Sequence, residues 1–159
     1  MQAKRTRILS AVLALVLAVS LLPGVTISAA ENPFTDVGAS DYYYSAVLWA
    51  VENSVTAGVT PTSFAPKATC TRAQMVSFLW RAMGKPAHKS DENPFTDVKT
   101  ADYYYDAVLW AVENSVTYGT SATAFSPETT VTRGQVVTFL WRAAGSPAPQ
   151  SDTTPFTDV

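Results

Sequence analysis

A chain of 159 residues, 47% hydrophobic and 15% charged, holds one ordinary domain or several small units, and its single cysteine excludes an intramolecular disulfide framework. The formal net charge is −2; three of the eleven basic residues, Lys4, Arg5 and Arg7, precede residue 31, which leaves 8 Lys plus Arg against 13 Asp plus Glu, net −5, in the remainder. An acidic chain without a Lys/Arg cluster makes nucleic acid and anionic membrane surfaces poor candidates as partners.

The chain opens with the pattern of a signal peptide over residues 1–30. The three basic residues lead into an apolar run from Ile8 to Leu22, a Pro23-Gly24 break and a small-residue cleavage site at Ser28-Ala29-Ala30. An apolar run of about 15 residues is short for a membrane span, which takes roughly 20. A secreted chain starting at Glu31 is the expectation.

Asn32-Pro33-Phe34-Thr35-Asp36-Val37 recurs as Asn93-Pro94-Phe95-Thr96-Asp97-Val98, and Pro155 to Val159 begins the phrase again, at a spacing of 61 residues. About 40 of 61 positions are identical between residues 32–92 and 93–153. Units of this kind bury their apolar faces against neighbours. The expected division is repeat 1 over 31–92, repeat 2 over 93–153, and the start of a truncated third repeat over 154–159.

Within each unit, Tyr44, Val47, Leu48 and Val51 mark one helical face, which predicts a helix over about 42–53 with Asp41 as N-cap and Asn53 at its end, and its copy over about 103–114. Ser54 to Ala68 is a turn-rich loop with Phe64, and Phe125 in the copy, as its apolar plug. Thr71-Arg72-Ala73-Gln74 and Thr132-Arg133-Gly134-Gln135 are capping boxes that start a second helix. Met75, Phe78, Leu79 and Ala82, then Val136, Phe139, Leu140 and Ala143, read as its buried face, with Gly84 or Gly145 as the stop. Residues 86–93 and 147–154 are polar linkers. The fold class is all-α, tandem helix-loop-helix repeats. Cys70, facing Val131 in the copy, reads as a small buried hydrophobe.

The ordered set of Phe34-Thr35-Asp36-Val37, the Tyr-rich helix start, Ala46-Val47, Trp49-Ala50, Gly58, Phe64-Ala65-Pro66 and Thr71-Arg72-Ala73-Gln74, most of it repeated 61 residues on, resembles the S-layer homology (SLH) repeat of bacterial cell-surface proteins. The resemblance implies part of a three-repeat spindle. It also implies a noncatalytic module that anchors exported proteins to secondary cell-wall polysaccharide, in many members through pyruvylated amino sugars, at the cell surface and without a cofactor. Two departures stand out. Gln74 and Gln135 occupy a position where glutamate is usual, and Val59 stands where the second repeat has Thr120 after Gly119.

The candidate glycan-binding residues are Arg72, Arg133, Trp49, Trp110, Gly58, Gly119, Thr120, Asp36 and Asp97. A guanidinium fork suits a carboxylate such as pyruvate, and first-turn helix amides favour an anion; a salt bridge from either arginine to Asp36 or Asp97 is the structural alternative. Trp49 and Trp110 serve sugar stacking or the core equally well. Tyr44, Tyr105, Phe78 and Phe139 are expected in the core, Trp80 and Trp141 against a neighbouring repeat, and Asp36 and Asp97 in turn and capping hydrogen bonds. Glu52 and Glu113 read as exposed. His88 is the lone histidine and has Pro149 as its counterpart, so neither a metal cluster nor a Ser/His arrangement is expected. The alternative function is a surface interaction protein that self-assembles without glycan. If three repeats make the native unit, two leave faces open, with Trp80 and Trp141 as exposed aromatics, and self-association or early melting follows.

Overall fold

The computed structural model describes residues 31–151 and 155–158. The expected leader lies outside them. Among the described residues four helices follow in order: α1 Tyr44–Glu52, α2 Arg72–Ala82, α3 Tyr105–Glu113 and α4 Arg133–Ala143. Among the described residues there is no strand; two isolated bridges, Thr60 with Ser63 and Thr71 with Thr130, are the extended pairings. The fold is all-α, as the periodicity predicts.

The capping boxes form in both copies. The Gln74 amide donates to Thr71 Oγ1 at 3.2 Å and the Thr71 amide to Gln74 Oε1 at 2.9 Å; Thr132 and Gln135 repeat this at 3.2 and 2.9 Å. Asp41 does not cap α1. Its Oδ2 accepts the Gly38 amide at 2.8 Å, closing a turn ahead of the helix, and α1 starts two residues later than the sequence predicts. Asn53 ends α1, its Nδ2 donating to the Trp49 carbonyl at 2.8 Å, before Ser54 turns left-handed at φ 56°.

The loops are pinned to the phrase that opens each repeat. Asn93 Nδ2 donates to the Val98 carbonyl while its Oδ1 accepts the Phe95 amide, at 2.8 and 3.0 Å, and Asn32 does the same. The Phe95 ring then lies 5.7 Å from Phe125 and against Gly119, where φ is +81° and an added Cβ would come within 2.6 Å of both Phe95 and the Ala124 carbonyl. Gly58 does the same for Phe34.

The larger buried cluster joins α2 to repeat 2, and a smaller one, Phe34, Val37 and Val47, lies within repeat 1. α2 packs against α3 and α4 of the following repeat, and the buried cluster draws Ala73, Val76 and Leu79 from α2 and Ala107, Val108, Trp110 and Ala111 from α3, with Val116, Phe125 and Phe139. This corrects the expected face of α2. Met75 and Phe78 are half-buried and Ala82 is exposed, because the helix must also turn Arg72, Ala73 and Ser77 toward the neighbour. On α4, Phe139 is buried while Leu140 is 48% exposed. Trp80 packs on the inter-repeat core and donates Nε1–H to the Pro86 carbonyl at 2.9 Å. Cys70 is exposed, not buried as expected. Glu113 is exposed yet anchors the linker, accepting the Lys89 amide at 2.8 and 2.9 Å and the Ser90 amide at 2.8 Å.

Candidate functional site

The capping-box arginine of repeat 1 reaches into repeat 2. Arg72 sits in the first turn of α2, is 4% exposed, and donates from Nε to the Phe125 carbonyl at 2.9 Å and from Nη2 to Thr117 Oγ1 at 3.2 Å. Its guanidinium carbon lies 5.0 Å from the Phe125 ring centre and 5.4 Å from that of Phe139, a cation-π cradle that offsets part of the lost hydration. Burial lowers its pKa and the nearby Asp97 charge works the other way. Neither Asp36 nor Asp97 makes the expected salt bridge to an arginine among the described residues. Asp97 grips the other side of the same peptide, accepting the Phe125 and Ser126 amides at 2.9 and 2.8 Å.

Desolvation pushes the Asp97 carboxyl up, but the Phe125 and Ser126 amides outweigh it and the net shift is downward. Asp36 is likewise lowered by the Phe64 and Ala65 amides, with Ser63 adding a hydroxyl bond at 2.8 Å. Both aspartates hold a loop some 28 residues away, which is why a local turn reading found them but not their partners.

Above Arg72 opens a groove of about 500 Å³, lined by Thr117, Tyr118, Gly119, Thr132, Gln135 and Arg142 among others. Arg142 donates to the Val116 carbonyl at 3.3 Å and lies 5.4 Å from the Tyr118 ring centre. Among the described residues no carboxylate lines this groove, and its charged lining residues are the two arginines. Glutamine at 135 keeps it so. Arg72 retains a terminal nitrogen, Nη1, with no hydrogen bond among the described residues.

The candidates are thus divided. Arg72 and Gly119 line the groove of repeat 2, and Thr120 stands beside it with its hydroxyl 2.6 Å from Ser126 Oγ. Trp110 is buried in the core, Trp49 is exposed on α1, and Gly58 belongs to a smaller groove of about 370 Å³ in repeat 1 that no capping-box arginine enters. Arg133 is exposed on a different face, beside Val137 and Phe156. The anion reading of the helix amides is corrected for α2. Its Arg72 and Ala73 amides are taken by the Thr129 and Pro127 carbonyls at 2.9 and 3.0 Å. Sequence reasoning missed Arg142, whose signal was its recurrence at Arg81.

The S-layer homology domain model matches residues 33–76 and 94–137, the span from each opening phrase into the first turns of α2 and α4. A surface-layer 125 kDa protein of Lysinibacillus sphaericus is 34% identical over 124 residues, 78% of this chain and 10% of that protein. A cell surface protein of Thermoanaerobacter kivui is 31% identical over 121 residues, 74% of this chain and 16% of it. An endoglucanase of Bacillus sp. (strain KSM-635) is 31% identical over 111 residues, 70% of this chain and 12% of it. The chain therefore spans between 10% and 16% of the length of these relatives. With matched segments covering both repeats and more than half of its residues, the chain belongs to the S-layer homology family.

Proposed function

We propose that the chain is a noncatalytic anchoring module that holds an exported protein to an acidic secondary polysaccharide of the bacterial cell wall, with pyruvylated amino sugars as the recognised unit. One observation carries this reading. In an acidic chain, the groove of repeat 2 that Arg72 enters presents, among the described residues, two arginines and no carboxylate. An arginine fork matches a ketal carboxylate, and the Tyr118 ring beside Arg142 offers a flat apolar face for the sugar.

Retention on purified wall polymer tests it. The folded protein should be held by pyruvylated polymer and released when the ketal is removed chemically. Arg142→Gln should weaken retention about tenfold, the cost of one charge-assisted pair, with the melt little changed. Flow-through of folded wild type on the pyruvylated polymer would reject the proposal.

A further inference from the structure

The linker from α2 to repeat 2 is pinned at two points. Trp80 Nε1–H donates to the Pro86 carbonyl at 2.9 Å, and Glu113, at the end of α3, accepts the Lys89 amide at 2.8 and 2.9 Å and the Ser90 amide at 2.8 Å. His88 lies between these anchors, its side chain 17% exposed, beside Tyr105 and Asp106 in the first turn of α3. The Tyr105 ring stands edge-on at 6.2 Å between centres. His88 Nδ1 is 3.0 Å from the Ser90 carbonyl oxygen and 3.6 Å from Asp91 Oδ1, and Nε2 is 3.4 Å from Asp106 Oδ1.

These three partners are oxygens that accept. A neutral imidazole carries one N–H, so in either tautomer the other nitrogen turns a lone pair toward an oxygen; an imidazolium supplies a donor to both sides. The sequence marks the same contact. The two repeats are identical at about 40 of 61 positions, yet both ends of this pair differ between them, with Pro149 in the place of His88 and Ser45 in the place of Asp106. The carboxylates around the ring are Asp91 from the linker and Asp106 and Glu113 from α3, and Lys89 is the neighbouring cation. The Lys89 amide is the largest influence holding the Glu113 carboxyl below its ordinary value, and the charges of His88 and Lys89 act the same way.

We propose that His88 is a pH-sensitive latch on the linker: its protonated ring ties the linker to the first turn of α3 through Asp106, while Asp91 and the Ser90 carbonyl take the second N–H. Histidine is the side chain whose ordinary titration falls between about pH 5 and 8. Acid therefore tightens the connection between α2 and repeat 2, and alkali loosens it. Asp106 is 59% and Asp91 94% exposed. The latch thus has the modest strength of exposed ion pairs, roughly a two- to fivefold change in linker opening, and salt weakens it.

Amide hydrogen exchange on the full chain at low ionic strength, with each rate divided by its intrinsic rate at that pH, reads the latch at Lys89 and Ser90. Relative to the core amide of Val108, their protection should rise about two- to fivefold between about pH 8 and about pH 5.5. His88→Gln removes the titrating ring. Asp106→Ser installs the residue that repeat 1 carries at the same place on its helix. Each variant should abolish the rise, and added salt should shrink it in the wild type. Constant protection in the wild type, or a rise that persists in either variant, would overturn the proposal.

Discussion

Ser77 is buried on α2 against the following repeat, and its Oγ is the buried side-chain polar atom left without a partner among the described residues. A buried hydroxyl that gives up water and gains no hydrogen bond costs roughly 1–3 kcal/mol. Ser77→Ala should therefore raise the thermal midpoint, by about 1 kcal/mol of stability, since alanine also suits a helix better. A lower midpoint would show that the hydroxyl has a partner after all. The aspartates act in the opposite sense. Asp36 and Asp97 both titrate below the ordinary 3.8 because loop amides bind their ionised forms. A carboxylate depressed in the folded state contributes stability above its unfolded value and loses it as pH falls through the folded one. The melting temperature should thus drop as pH is taken below about 4, and Asp97→Asn, which keeps one acceptor of two, should flatten that drop while lowering the plateau.

Among the elements, α2 and α4 have the same eleven-residue length and the same box, but their first turns differ in support. α2 has two further amides satisfied by carbonyls of the next repeat, whereas α4 depends on Thr132 and Gln135. Thr132→Ala should cost about 1 kcal/mol, the usual loss of an N-cap, and should speed hydrogen exchange in the first turn of α4. Thr71→Ala should leave exchange at the Arg72 and Ala73 amides slow, because Thr129 and Pro127 still hold them. Equal exchange in the two variants would mean that the inter-repeat carbonyls add nothing to the start of α2.

At the scale of the whole molecule, the larger buried cluster is that of repeat 2, completed by α2 of repeat 1. Trp110→Ala removes a side chain from the central core and should cost about 3–5 kcal/mol. Trp49→Ala removes its exposed counterpart and should cost well under 1 kcal/mol, as surface changes do. Chemical denaturation of the two variants compares them directly at micromolar concentration. Equal losses would show that the contact of α2 with α3 adds nothing to the burial of Trp110.

The sequence by itself determined the local structure and the family. A threonine with glutamine three residues on, and apolar residues at helical spacing, act within one or two turns, so the boxes at Thr71 and Thr132 and all four helices were legible. The 61-residue recurrence likewise identified the repeat unit. Only the tertiary structure decided what each copy does. Arg72 and Arg133 are indistinguishable in their motifs, yet one is buried beneath the groove of the following repeat and the other is exposed. Asp41 reads as a cap because its spacing fits, and a turn three residues back captured its carboxylate instead. Arg142 joined the groove through a ring and a carbonyl more than twenty residues away. Periodicity records which way a side chain points relative to its own helix. Whether another repeat lies in that direction depends on packing between units, and this is why identical residues end in the core of one repeat and on the surface of the other.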